Sequence, residues 1–194
     1  MGKQGRRRTF VADAARSRIK SEVMNEASDA VVSGESACFM IDHMLIRLGK
    51  YLRIAGYDAE WDLTLRTHEL ILKANAEDRI FVTRNKHLPY QYPVPRRVIL
   101  LCTTDPAAQF HQVASELRLD IQSNLFSKCI RCNVKLREIS DRSEISSKVH
   151  PNVLQRYHRF YACPSCGTIF WKGSHVRNTC IKLQVASGDE MTDQ

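Results

Sequence analysis

Four cysteines place the tightest constraint on this chain of 194 residues. Cys129-Ile130-Arg131-Cys132 and Cys163-Pro164-Ser165-Cys166 are two C-x-x-C knuckles with 30 residues between them. Four thiolates spaced this way match a tetrahedral Zn²⁺ site of the zinc-ribbon kind. A closed four-Cys site leaves no coordination position for a substrate, so the expected role of the zinc is structural. Asn133 and Gly167 each follow a knuckle, where the backbone must turn tightly around the metal. A thioredoxin-like redox pair would need a single such motif opening a helix. Disulfides would need an oxidising compartment, for which the sequence gives no sign. Cys38, Cys102 and Cys180 stand outside the knuckles as thiols, the first two expected to be buried in strands.

Charge follows the cysteines. The chain carries 29 Lys+Arg against 21 Asp+Glu, a formal +8, and a pI near 9.3 points to an acidic partner. Residues 123–181 hold ten basic and three acidic side chains and five of the seven cysteines. Residues 38–122 are almost balanced, with eleven and ten. The ribbon's basic residues include Lys128, Arg131, Lys135, Arg137, Arg156, Arg159, Lys172 and Arg177, interleaved with Tyr157, Phe160, Tyr161, Phe170 and Trp171. Cations beside aromatics suit single-stranded RNA, through phosphate pairing and base stacking, and Trp171 is included in the expected nucleic-acid-binding set. Tyr161 and Phe170 read instead as core of a ribbon too small to fold without them and the metal.

The segment before the ribbon alternates strand and helix. Ala37–Ile41 is an apolar run of the kind buried in parallel sheets, ending at Asp42. Met44, Leu45, Leu48, Tyr51, Leu52 and Ala55 then share one helical face, closed by Gly56. Asp58–Trp61 reads as a second strand, and Thr67 as the cap of a helix through Ala76. Ile80–Thr83 and Val98–Cys102 are further strands, and Pro106 opens a helix to about Leu119. The expected class is α/β, a parallel sheet with flanking helices followed by a small four-Cys zinc ribbon. Ligands in such folds sit beyond the carboxyl ends of strands, where Asp42, Asn85 and Asp105 fall. Each has an ordinary alternative: Asp42 and Asp105 precede helices and can cap them, and Asn85 suits a loop. Together with Glu69 they offer the hard oxygens that Mg²⁺ or Mn²⁺ takes in phosphodiester cleavage.

The order and spacing of these pieces resembles the ribonuclease domain family named after the C-terminal region of the mutator-seven exonuclease. The resemblance rests on Asp42-His43-Met44-Leu45-Ile46-Arg47-Leu48, Gly56-Tyr57-Asp58-Ala59, Arg79-Ile80-Phe81-Val82-Thr83-Arg84-Asn85, and the two knuckles followed by Trp171-x-Gly173-Ser174-His175. It implies a PIN-like (Rossmann-like) nuclease fold with a zinc ribbon, RNA as partner, and an acidic cluster holding Mg²⁺ or Mn²⁺. Asp42, Glu69 and Asp105 match the family's acids. At Asn85 this chain departs from it, reading Thr-Arg-Asn where the family reads Thr-Arg-Asp. An amide ligates a metal without charge and removes a candidate general base.

The resulting expectation has four parts: a flexible basic tail over 1–37, the PIN-like domain over 38–122, the zinc ribbon over 123–181 and a C-terminal tail over 182–194. The tail's Arg and Ala content also suits a mitochondrial presequence, against which Asp13, Glu22 and Glu26 count. No window is apolar enough to span a membrane and no secretory h-region follows the basic start. An intracellular protein is expected, with nucleus, cytoplasm and mitochondrion as alternatives. Two functions are carried forward: a metal-dependent endoribonuclease, and an RNA-binding or assembly protein that has lost catalysis.

Overall fold

Short apolar runs ended by polar residues become a parallel sheet in the computed structural model, which describes residues 37–88 and 93–185. The expectations for residues 1–36 and 186–194 lie outside the described residues. Strands β1 (Cys38–Ile41), β2 (Asp58–Glu60), β3 (Ile80–Thr83) and β4 (Val98–Leu100) pair in the order β2-β1-β3-β4, every pair parallel. Alternation along each strand sorts side chains to two faces. Phe39, Ile41, Ile80, Val82 and Ile99 point to one face, under helices α1 (Ile46–Ile54) and α3 (Pro106–Glu116). Met40 and Phe81 point to the other, against Leu70, Ile71 and Ala74 of α2 (Thr67–Ala76) and Leu88. Helices therefore cover both faces, and the sheet reads as nearly continuous apolar runs for that reason.

The expected helices and strands are present, with local differences. The first helix is split: a 3-10 turn over His43–Leu45 precedes α1. The α2 cap is Arg66, one residue before Thr67, because Glu69 Oε2 accepts from the Arg66 backbone N–H at 2.7 Å. Strand β4 stops at Leu100, so Cys102 is exposed rather than buried in a strand. Gly56 adopts φ +90, and a Cβ there would lie 2.4 Å from the Asn124 carbonyl oxygen. This close approach seats the segment that leads from the sheet into the ribbon.

The ribbon is a three-stranded antiparallel sheet of β5 (Arg137–Glu138), β6 (Tyr161–Ala162) and β7 (Ile169–Phe170). Its core is Ile139, Ile145, Val149 and Phe160, with Trp171, Tyr157 and Ile169 packed against it. Tyr161 and Phe170 are cross-strand partners on the other face and only half buried, so they are not the core expected of them. Period-two alternation decides this: Phe160 and Ala162 face inward, which turns Tyr161 away. Short α4 (Pro151–Arg156) flanks the ribbon. Finally α5 (Ser174–Leu183) returns to the parallel sheet's layers and places Leu183, fully buried, in the main core. The helix crosses the 181/182 division drawn from composition.

Candidate active site and metal centre

Strand order reverses between β1 and β3, since β1 pairs with β2 on one side and β3 on the other. Open parallel sheets bind ligands at such switch points. Asp42 follows β1 there, and Asn85 lies two residues beyond β3. Thr83, fully buried, joins them: its hydroxyl donates to Asp42 Oδ2 at 2.5 Å and accepts from the Asn85 N–H at 3.1 Å. Asp42 is itself 4% exposed, and its Oδ1 accepts from the His43 N–H at 2.7 Å. Nothing in the sequence singled out Thr83; its signal is position, the last residue of the strand beside Asp42.

Asp105 follows β4 at the same sheet edge, and Glu69 lies in the first turn of α2. Both are exposed. Asp105 Oδ2 accepts from the Ala108 N–H at 2.8 Å, and Glu69 caps α2 as described. Asn85 Oδ1 accepts from the His87 N–H at 3.0 Å. All four expected site residues thus use one side-chain oxygen to cap a local turn. Among the described residues, the three acids do not gather their carboxylates into one cluster of metal-ligand spacing.

The cysteines do gather. The Sγ atoms of Cys129, Cys132, Cys163 and Cys166 all lie within 4.8 Å of one another. Ligands about 2.3 Å from a tetrahedral zinc stand about 3.8 Å apart, and Cys129 Sγ lies 3.9 Å from Cys166 Sγ. The two knuckles repeat one geometry. The Cys132 N–H points at Cys129 Sγ and the Cys166 N–H at Cys163 Sγ, both at 3.4 Å. The Asn133 N–H closes on the Cys129 carbonyl, and the Gly167 N–H on the Cys163 carbonyl, both at 2.9 Å. Asn133 and Gly167 take φ +64 and +68, the left-handed turn expected after each knuckle. N–H groups aimed at sulfur favour thiolates, and the donor set fits zinc. Burial pushes the Cys129 thiol up to about 12, while the Thr168 hydroxyl and backbone bring Cys166 down to about 6. A metal entering the site therefore displaces a proton from Cys129.

The first knuckle is locked onto the parallel sheet. Arg53, 4% exposed in α1, donates from Nη1 to the carbonyls of Ile130 (3.0 Å) and Arg131 (2.9 Å) and from Nε to the Ala59 carbonyl at 2.7 Å. Its guanidinium stacks 3.6 Å from the Trp61 ring centroid. Burial lowers it to about 10 against the pull of Asp58 and the two nearby thiols, so it stays charged at neutral pH. Asn133 Oδ1 accepts from the Ala59 N–H at 3.3 Å, and its Nδ2 donates to Asp58 Oδ1 at 2.8 Å.

The fold, the knuckle pair and the order of motifs decide the family. A family model described as the Mut7-C RNAse domain matches residues 37–183. The chain belongs to the Mut7-C RNAse domain family. Its family relation carries a ribonuclease-like function and RNA as substrate or partner. No curated protein and no solved structure matches the chain. No helix among the described residues is long and apolar enough to cross a membrane.

The structure distributes the basic residues of the ribbon unevenly. Arg131, Lys135, Arg156, Arg159 and Arg177 are exposed, while Lys128 and Lys172 are half buried. Arg137 is paired with Glu144 at 2.9 Å. Trp171 leans on Phe160, ring centroids 6.3 Å apart, and so contributes to the ribbon core.

Proposed function

We propose that this Mut7-C protein is an endoribonuclease that hydrolyses phosphodiester bonds of single-stranded RNA at the β1/β3 edge of its sheet. The observation that carries the reading is the hydrogen-bonded run from Asn85 through Thr83 to Asp42 at the switch point. Asp42 and Asp105 are the residues that would hold Mg²⁺ or Mn²⁺. All-oxygen donors suit these ions, which take one or two carboxylates and fill their sphere with water and substrate phosphate. Such an ion, if held there, would supply a hydroxide at neutral pH and offset the charge of the leaving oxygen. Thr83 fixes the Asp42 carboxylate in place, and Asn85 positions water or phosphate through its amide. Glu69, in the first turn of α2, would add a further carboxylate to the site. The four cysteines hold a structural zinc, and Arg131, Lys135, Arg156, Arg159 and Arg177 add positive surface for the strand. The test is Mn²⁺-dependent cleavage of a single-stranded RNA by the wild type and by Asp42→Asn. Equal activity in the two proteins overturns the proposal.

One observation favours a second reading, in which the protein holds RNA without cutting it. Every acid of the site is already a turn cap, and the fourth position is the neutral Asn85. Asn85→Asp separates the two. A gain of cleavage from an inactive wild type supports the second reading, while an active wild type supports the first.

A further inference from the structure

Between α1 and α5 runs an open groove of about 590 Å³. Its walls are helical faces: Ile46, Arg47, Lys50 and Ile54 recur at near-helical spacing on α1, as His175, Asn178 and Lys182 do on α5. Arg47, Lys50 and Lys182 are exposed, and among the described residues none has an acidic partner. No acid lines the groove either. Ile46, Ile54 and Ile130 add apolar surface to its lining. Three uncompensated cations beside apolar side chains are the complement of a chain that alternates charged phosphate with apolar ring surface.

The position of the groove is as informative as its lining. One end, at Ile46 and Arg47, begins just after the 3-10 turn that Asp42 caps. The other end reaches Ile130, inside the first cysteine knuckle. From Ile46 to Ile54 the helix rises about 12 Å, a span of a few nucleotides. The groove thus runs from the start of α1 to the first cysteine knuckle, and buried Cys180 and Leu183 seat α5 as its second wall.

We propose that this groove is the track of the single-stranded RNA, with Arg47, Lys50 and Lys182 taking successive phosphates and His175 and Asn178 adding polar contacts along α5. The inference rests on RNA being the partner and moves the principal contact from the basic residues of the ribbon to the seam between α1 and α5. Binding of a fluorescein-labelled oligouridine to the full chain, followed by anisotropy without added Mg²⁺ or Mn²⁺, tests it apart from cleavage. The triple variant Arg47→Ala, Lys50→Ala, Lys182→Ala should bind at least tenfold more weakly. Its plot of log affinity against log salt should be shallower by about 2, at ~0.7 for each phosphate no longer neutralised. The charge-keeping triple Arg47→Lys, Lys50→Arg, Lys182→Arg should restore most of the binding, which separates charge from folding. Unchanged affinity and slope in the alanine triple, with binding abolished instead in Lys135→Ala, Arg156→Ala, Arg159→Ala, overturn the proposal. So does displacement of the RNA by polyglutamate as readily as by unlabelled oligouridine, which would mark a seat for acidic peptides. A wild type that binds through the groove but cleaves nothing removes the catalytic reading and leaves the track standing. A wild type that cleaves while the alanine triple binds normally does the reverse.

Discussion

The guanidinium of Arg53 donates to the carbonyl of Ile130 across 3.0 Å, tying α1 to the interior of the first cysteine knuckle. The same side chain holds Arg131 and Ala59. Arg53→Ala would strand three carbonyls, and Arg53→Lys cannot reproduce the planar fork that serves them. Both variants should lose about 1–3 kcal/mol of stability, with the zinc still bound. Urea unfolding at fixed zinc content checks this, and wild-type midpoints would refute it.

Because the knuckle is fastened to the sheet, metal loss should be felt beyond the ribbon. The chain has two tryptophans, one in each region: Trp61 under Arg53 and Trp171 against Phe160. Single-tryptophan variants, Trp171→Phe and Trp61→Phe, report on the two regions separately. Chelation of one equivalent of zinc, counted by mass spectrometry, should lower the unfolding temperature seen by both probes together. A Trp61 signal indifferent to chelation would show that the parallel sheet stands by itself.

Asp58 makes the same junction sensitive to acid. Burial raises its carboxyl, but the hydrogen bonds from Arg79 and Asn133 outweigh that and hold it below the usual aspartate value. A carboxyl with a depressed folded value gives stability that is complete above its unfolded value, ~3.9. That contribution fades as pH falls through the folded value, because the unfolded chain then binds more protons. Stability should therefore fall progressively as the pH drops below about 3.9, and Asp58→Asn should flatten that part of the curve. Parallel curves for the two proteins would count against the assignment.

Thr83→Val keeps the shape of a fully buried residue and removes the hydroxyl between Asp42 and Asn85. The cost should be about 1–3 kcal/mol, accompanied by reduced cleavage at the proposed active site. Thr83→Ser should retain most of both. A valine variant that cleaves like the wild type would remove Thr83 from the site.

Gly56→Ala meets two obstacles at once, a φ of +90 and the Asn124 carbonyl at 2.4 Å from the new Cβ. A loss of about 1–3 kcal/mol is expected, measurable by thermal unfolding. An unperturbed variant would mean that the segment around Asn124 yields without cost.

The parts of this molecule legible in the sequence are those specified by neighbours in the chain. Apolar runs located β1, β3 and β4 to within two residues, and both knuckles announced their turns through Asn133 and Gly167. Arg53 was not legible. It shares α1 with the exposed Arg47 and Lys50, and its partners are backbone carbonyls, two of them 77 and 78 residues away. Carbonyls belong to every residue and leave no mark in a sequence. Tyr161 and Phe170 show a related limit, since two-residue strands are too short for alternation to reveal which face is inward. The acids were legible in position but not in role. Standing just before a helix marks both a cap and a ligand, and here the capping bonds are visible.

Among the described residues, strand β2 is the outer strand of the parallel sheet, with a neighbouring strand on only one side. Its central residue, Ala59, has its N–H taken by Asn133 and its carbonyl by Arg53. An uncovered outer strand is a template on which another chain can add itself. The first cysteine knuckle, through Asn133, sits against that strand, so a metal that orders the knuckle would also keep the edge covered. A chain synthesised without zinc would bare this edge, and its characteristic failure would be clumping rather than a quiet loss of activity.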